Sequence, residues 1–290
     1  MKSFMKRLLP LILSLMLAAC GGSRPQESTN QPATLPDFGP TETTAAQTAE
    51  PSTAAPETTV PTPVTTEAPT EPPTTAAQTG NGKLICIDAG HQGKANTDKE
   101  PLGPGSSEMK TKVSSGTQGR TTGVPEYVVT LQVAFKLQRI LEERGYTVIM
   151  TRTAHDVDIS NVERAQMAND AGADAFVRLH CNGVDNPEIN GLLAVLQTRD
   201  NPWNGDRHDE FERLCRCIVN EACAVTGAKN MGLQETDTMT GINWCRVPTA
   251  LVEMGFMTNP DEDRKLVDDA YQELLALGIA NGIDAFFGFK

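Results

Sequence analysis

The sequence predicts one α/β domain over residues 83–290, a mainly parallel twisted sheet flanked by helices on both faces. Three observations carry this. Short apolar runs alternate with segments of helical periodicity along the whole stretch, the signature of strands joined by helices. No internal repeat interrupts the alternation. The stretch is long enough for one domain with a substantial core, whereas the residues before it lack the large apolar side chains that a core needs.

The elements follow in order. "KLICID" is the first strand. "EYVVTLQVAFKLQRILEERG" is a helix, with Tyr127, Leu131, Ala134, Gln138 and Leu141 along one side and Gly145 ending it. "YTVIMTR" is a strand. "SNVERAQMANDAG" is a helix that opens with a capping box, Ser160 to Glu163, and stops at Gly172. "ADAFVRLHCN" and "INGLLAVLQT" are strands. "DEFERLCRCIVNEACAVTG" is a long helix closed by Gly227. "VPTALVEMGFMTN" is a strand that leaves into a loop. "NPDEDRKLVDD" begins a helix with Asn259 as cap and Pro260 at its first position. "AYQELLALGIANGIDAFFG" is the last helix. One stretch has no clear period: Gln92 to Pro125, rich in Gly, Ser and Lys. A long loop within a compact domain is usually functional. This one directly follows His91 and directly precedes Glu126, which suits a cleft wall or lid.

The N-terminal part is different in kind. Residues 1–20 have a basic start (Lys2, Lys6, Arg7), an apolar stretch from Leu8 to Leu17 and small residues before Cys20. The apolar stretch is too short for a transmembrane helix, and the whole reads as a secretory signal. Leu17-Ala18-Ala19-Cys20 resembles the bacterial lipoprotein signal, which implies lipidation of Cys20 and a membrane anchor. Residues 21–82 are a disordered linker dominated by Thr, Pro, Ala and Glu, extended at about 3 Å per residue where polyproline-like.

Charge narrows the partners. The chain's net charge is −12; residues 1–20 hold three basic and no acidic groups and residues 21–82 seven acidic and one basic, which leaves −9 for the domain. An acidic domain without basic patches excludes nucleic acid as a partner. Six cysteines follow Cys20, with no CxxC pairs that could form a cysteine zinc site. Cys86 and Cys181 lie in strand-like runs and Cys215 shares a helical stripe with Phe211, Leu214, Ile218 and Ala222, so these read as buried small hydrophobes. Pairing among the cysteines stays open.

Four ionisable residues stand where a parallel sheet forms its sites. His91 follows "LICIDAG", His180 follows "AFVRL" and Glu253 follows "PTALV", all at strand ends, while Glu126 opens the first helix. Two histidines and a carboxylate are a common catalytic zinc set with a fourth position left for water; the other carboxylate could carry a proton. Each also has a structural alternative: a hydrogen-bonded strand-end histidine, a favourable charge at a helix start, or an arginine-paired glutamate.

The motifs "IDAGHQG", "PEYVVTLQVAFKL", "TRTAHDVDISNVERAQMAN", "VRLHCNG" and "VEMGFMTNPDED" resemble, in order, those of the zinc-dependent N-acetylmuramoyl-L-alanine amidases of the type 3 family. The resemblance covers essentially all of residues 83–288. It implies one Zn2+ held by His91, Glu126 and His180, with Glu253 as the catalytic general base and acid. It further implies a peptidoglycan substrate cut at the amide between N-acetylmuramic acid and L-alanine, by a monomer facing the cell wall. Gln92 replaces a usual glycine, and Cys181 stands where a small residue such as alanine is common. Two other readings differ in testable ways. One is an exported zinc peptidase cutting within stem peptides, and the other a non-catalytic wall-binding lipoprotein, for which loss of a ligand or of Glu253 would be expected. His155 and His208, in polar surroundings, are expected on the surface.

Overall fold

The computed structural model describes residues 81–289. The expected signal segment 1–20 with Cys20, and the expected linker as far as residue 80, lie outside the described residues. The domain holds a six-stranded sheet in the order β4-β1-β5-β8-β6-β7. These are β1 (Leu84–Ala89), β4 (Thr147–Met150), β5 (Ala175–Asn182), β6 (Leu192–Leu196), β7 (Asn230–Glu235) and β8 (Thr249–Phe256). Strands β4, β1, β5 and β8 run parallel, β6 is antiparallel to β8, and β7 is parallel to β6. The mainly parallel sheet expected from the alternation is therefore present, with one reversal.

Three long helices cover one face: α1 (Glu126–Glu143), α3 (His208–Thr226) and α6 (Asp269–Phe287). Their apolar stripes and the inward side chains of the strands, such as Ile85, Ile87, Val177, Leu179 and Val252, form the main core. The buried side of α1 comprises Val129, Thr130, Val133, Ala134, Leu137, Ile140 and Leu141 among others; the expected Tyr127 and Gln138 are only half buried. The stripe is wider than one period because α1 packs on both the sheet and α6. On the opposite face α2 (Asn161–Asp170) and the short α4 (Thr240–Asn243) enclose a smaller core around Cys86, Phe176 and Cys245. The capping box on α2 is formed: Ser160 Oγ accepts from Glu163 N, and Glu163 Oε2 from Ser160 N at 2.7 Å. Asn259 caps α5 (Pro260–Leu266) with its side chain, as the sequence indicated.

The stretch 92–125 departs from its expectation as a loop without structure. It contains an antiparallel hairpin, β2 (Asn96–Pro101) and β3 (Met109–Val113). Both strands are dominated by Asn, Thr, Asp, Lys and Glu, so they show no apolar alternation. The hairpin is held by polar contacts instead. The Trp203 indole N–H donates to the Pro104 carbonyl and the Trp244 indole N–H to the Pro101 carbonyl, both at 2.9 Å. Asn243 donates to the Leu102 carbonyl, and buried Glu100 accepts from the Val162 N–H at the start of α2. It is a pinned wall, not a free lid. Edge strand β7, "NMGLQE", also went unpredicted for want of apolar residues. Among the described residues no helix is long and apolar enough to cross a membrane, and all six domain cysteines are free.

Candidate metal centre

Register delivers the site. In parallel strands, residues in register point to the same face, and β5 and β8 place His180 opposite Glu253. On the same face, two residues back, Arg178 of β5 lies in register with Asp88 of β1. Asp88 has no exposure to solvent. Its carboxylate accepts from Thr151 Oγ1 at 2.6 Å, Arg164 Nη1 at 2.7 Å and Arg178 Nε at 2.9 Å. Burial opposes ionisation of Asp88, but the two guanidiniums and the hydroxyl hold its carboxyl far below the usual range. Arg164 then reaches the His91 carbonyl and Gln92 Oε1, each at 3.0 Å, so this network fixes the chain as it leaves β1.

The turn after β1 is strained and crowded. His91 has φ +60°, the only non-glycine residue with positive φ among the described residues. Such a conformation costs about 1–3 kcal/mol and persists only where the surroundings impose it. Gly90 before it has no alternative: a Cβ there would come within 2.5 Å of the His180 ring and the Leu179 carbonyl. This explains the glycine in "IDAGHQG".

Three side chains then converge. His180 Nδ1 is 3.2 Å from His91 Nε2 and 3.1 Å from Glu126 Oε1, and His91 Nε2 is 3.3 Å from Glu126 Oε2. One ligand atom from each lies within 4.8 Å of the others. Each is oriented from behind. The Ser114 carbonyl, just past the hairpin, lies 3.0 Å from His91 Nδ1; a carbonyl only accepts, so Nδ1 carries the hydrogen and the Nε2 lone pair faces the centre. Glu126 is 2 % exposed, and its oxygens accept the Thr117 N–H at 2.8 Å and the Cys181 N–H at 2.9 Å. Gly116, at φ +77°, lets the loop pass: a Cβ there would lie 2.7 Å from Glu126 Oε2 and 2.8 Å from the His91 ring.

The electrostatics suit a cation-binding set. Burial resists charge on all three groups. It pushes His180 down to about 4, helped by His91 and opposed by Glu126. It also opposes ionisation of Glu126, yet the two imidazoles hold that carboxyl well below its ordinary range. His91 moves up despite its burial, because Glu126 favours its charged form. Two ring nitrogens and a carboxylate oxygen this close repel unless something positive lies between them. A shared proton relieves this in part and a metal ion does so for all three, so the residues fit a metal. His180 Nε2 is buried with no hydrogen-bond partner.

Glu253 lies beside the cluster. Its Oε2 is buried and unpartnered. Burial raises its pKa well above the ordinary value, and the charge on Glu126 raises it further, with Arg178 pulling the other way. The four residues singled out from strand ends and the first helix are thus brought together. Sequence reasoning missed their supports, Asp88, Arg164, Arg178, Ser114, Gly116 and Thr117. A charge inside an apolar strand, Asp88 in "ICIDA" and Arg178 in "FVRL", could have signalled those two. His155 is exposed, as expected. His208 is not: it is 2 % exposed, because it is the first residue of α3 and shares the buried stripe of Phe211 and Cys215.

Comparison with known proteins shows the family of the domain. A family profile described as N-acetylmuramoyl-L-alanine amidase matches residues 85–285. The chain is similar to the N-acetylmuramoyl-L-alanine amidase AmiA of Salmonella typhimurium, with 25% identity over 246 residues, 72% of this chain and 78% of that one. It is 27% identical to the uncharacterized protein YqiI of Bacillus subtilis over 73% of this chain and 88% of that one. Among solved structures, the N-acetylmuramyl-L-alanine amidase Ami1 of Mycobacterium smegmatis shares its fold, with a TM-score of 0.66 and 24% identity over 74% of this chain and all of that one.

Proposed function

Because this chain belongs to the N-acetylmuramoyl-L-alanine amidase family, we propose that it hydrolyses the amide joining the lactyl group of N-acetylmuramic acid to L-alanine of the peptidoglycan stem peptide. The observation that carries this reading is the convergence of His91, Glu126 and His180 beside Glu253 within the matched region. The proposed ion is zinc, which suits two imidazole nitrogens and one carboxylate oxygen with a position left open. When bound, it supplies Lewis acidity, which acidifies a water and polarises the amide carbonyl.

The chain's own residues do the rest. The Ser114 carbonyl keeps the hydrogen of His91 on Nδ1, away from the metal side. The Thr117 and Cys181 N–H groups fix both oxygens of Glu126, so the ligand set is held before substrate arrives. Glu253 Oε2 takes a proton from the attacking water and returns it to the alanine nitrogen as the C–N bond breaks, giving a lactyl carboxylate and a free α-amine. A group whose pKa is raised by burial and by a neighbouring carboxylate, then lowered by a nearby cation, can serve in both directions. We also propose that Cys20 carries the lipid anchor, that the linker 21–82 lets the domain reach the wall outside the cytoplasm, and that the enzyme acts as a monomer.

The test is digestion of purified cell wall by the full chain, followed by identification of the groups released. New α-amines of L-alanine with glycan strands uncut support the proposal. New reducing ends or released D-alanine overturn it.

A further inference from the structure

A second His/Asp/Glu cluster lies on the far side of the fold. Strand β6 pairs Leu193 with Glu253 and runs away from the site, and Glu235 ends β7 in register with Leu196 at the opposite edge of the sheet. There His208 Nε2 is 3.0 Å from Glu235 Oε1. His208 Nδ1 is buried and has no hydrogen-bond partner. It faces Asp209 Oδ1 at 3.7 Å and Glu212 Oε2 at 3.9 Å, and the three atoms lie within 4.8 Å of one another.

We propose that His208, Asp209 and Glu212 form a second divalent-cation site, independent of the amidase centre, with zinc as the ion it takes. His208 and Glu212 stand four residues apart on α3 and so share a face. The Glu235 carboxylate takes the Nε2 hydrogen, which leaves the Nδ1 lone pair facing two carboxylate oxygens. A carboxylate behind an imidazole whose other nitrogen faces acidic groups is the arrangement of a metal-ligating histidine. One nitrogen and two oxygens suit a borderline ion such as zinc.

Arg199 holds the place the ion would take. Its Nη1 lies 2.6 Å from Asp209 Oδ1 and its Nη2 3.4 Å from Glu212 Oε2, the two oxygens that face His208. It leaves His208 Nδ1 unpartnered, and its own side chain is 61% exposed, so it can swing away. Arg216 pairs with the other Glu212 oxygen, Oε1, and does not compete. The start of α3 carries about half a positive charge, which two ionised carboxylates outweigh. Zinc and Arg199 therefore compete for one pair of oxygens, and this competition gives the test its sign.

The full chain, stripped with chelator, is titrated with zinc chloride and its bound metal counted. In a His91→Ala/His180→Ala background, which removes the amidase centre, one zinc should still bind. Adding Asp209→Asn and Glu212→Gln should abolish it, while adding Arg199→Ala should tighten it by about fivefold, the factor of one exposed ion pair. In the otherwise native chain, Asp209→Asn/Glu212→Gln should lower the count by one and leave wall hydrolysis unchanged, which decides the matter if the background variant fails to fold. The proposal is overturned if no zinc binds in the folded background variant, if the two carboxamides leave the affinity unaltered, or if Arg199→Ala fails to tighten binding. A failure of wall digestion by the native chain would count against the amidase reading alone.

Discussion

Glu253→Gln is the perturbation that separates the possible roles of this side chain. The substitution keeps size and reach but cannot carry a proton. If Glu253 is the proton carrier, hydrolysis falls by about 10²–10⁴-fold while zinc stays bound. The structure adds a second expectation, for the metal-free chain. Glu253 is unpartnered, and its pKa is raised first by burial and then by Glu126. A carboxyl whose folded-state pKa lies above its unfolded value contributes stability that is fully present below the unfolded value. That stability is lost as pH rises through the folded value. The metal-free native chain should thus lose stability as pH climbs from the ordinary carboxyl range, and the glutamine variant should escape that loss. Each unit by which the folded carboxyl's pKa exceeds its unfolded value is worth about 1.4 kcal/mol at a pH above both, and a domain of this size melts about 2–4 °C higher per kcal/mol. The variant should therefore melt several degrees above the native chain at neutral pH when metal-free, with the gap closing towards about pH 4. The assay is one preparation measured three ways: bound zinc by elemental analysis, melting by circular dichroism across pH with chelator, and rate by amine release. Loss of zinc would make Glu253 a ligand. A lower melting temperature with normal turnover would make it the structural partner of Arg178. Either result refutes the reasoning.

Three further perturbations probe the supports. Asp88→Asn strips the charge that balances Arg164 and Arg178 in a fully buried position, and should lower stability by about 3–5 kcal/mol, near 10 °C of melting temperature at about 2–4 °C per kcal/mol. Gly116→Ala places a Cβ against both Glu126 and His91 at positive φ, so zinc affinity measured by competition with a chelator should fall about tenfold or more, and unchanged affinity would show that the loop yields freely. Cys20→Ser should move the protein from the membrane fraction to the soluble fraction with its activity intact, and full retention in membranes would dismiss the lipid anchor.

The fold was legible where burial dictates residue type. The central strands and long helices announce themselves because their side chains must be apolar, and the ends of α2 and α5 because their caps need Ser160, Glu163 and Asn259. The hairpin β2–β3 was not legible, since it is held by contacts of its backbone carbonyls with two indoles rather than by a pattern of its own, and edge strand β7 was not, since none of its side chains is fully buried. His208 was misplaced by one residue: with the helix begun at Asp209, the histidine fell outside a stripe that in fact includes it.

The site divides along the same physical line. His91, His180 and Glu253 were visible because a polar residue near the C-terminal end of an apolar run has no packing reason to be there. What holds them is invisible for the opposite reason. The Ser114 carbonyl and the Thr117 and Cys181 N–H groups are backbone atoms that any residue could supply, so no residue type marks them. Only glycines betray the arrangement. Gly90 and Gly116 appear in sequence as ordinary loop residues, yet each stands where a single carbon would strike the ligands themselves. The length of the 92–125 insertion follows from this. The chain must leave β1 through a strained His91, pass out along the wall that Trp203 and Trp244 pin, and come back past Ser114 and Gly116 to deliver Glu126 at the head of α1. A shorter link could join β1 to α1, but it would forfeit the carbonyl that sets which His91 nitrogen faces Glu126 and His180.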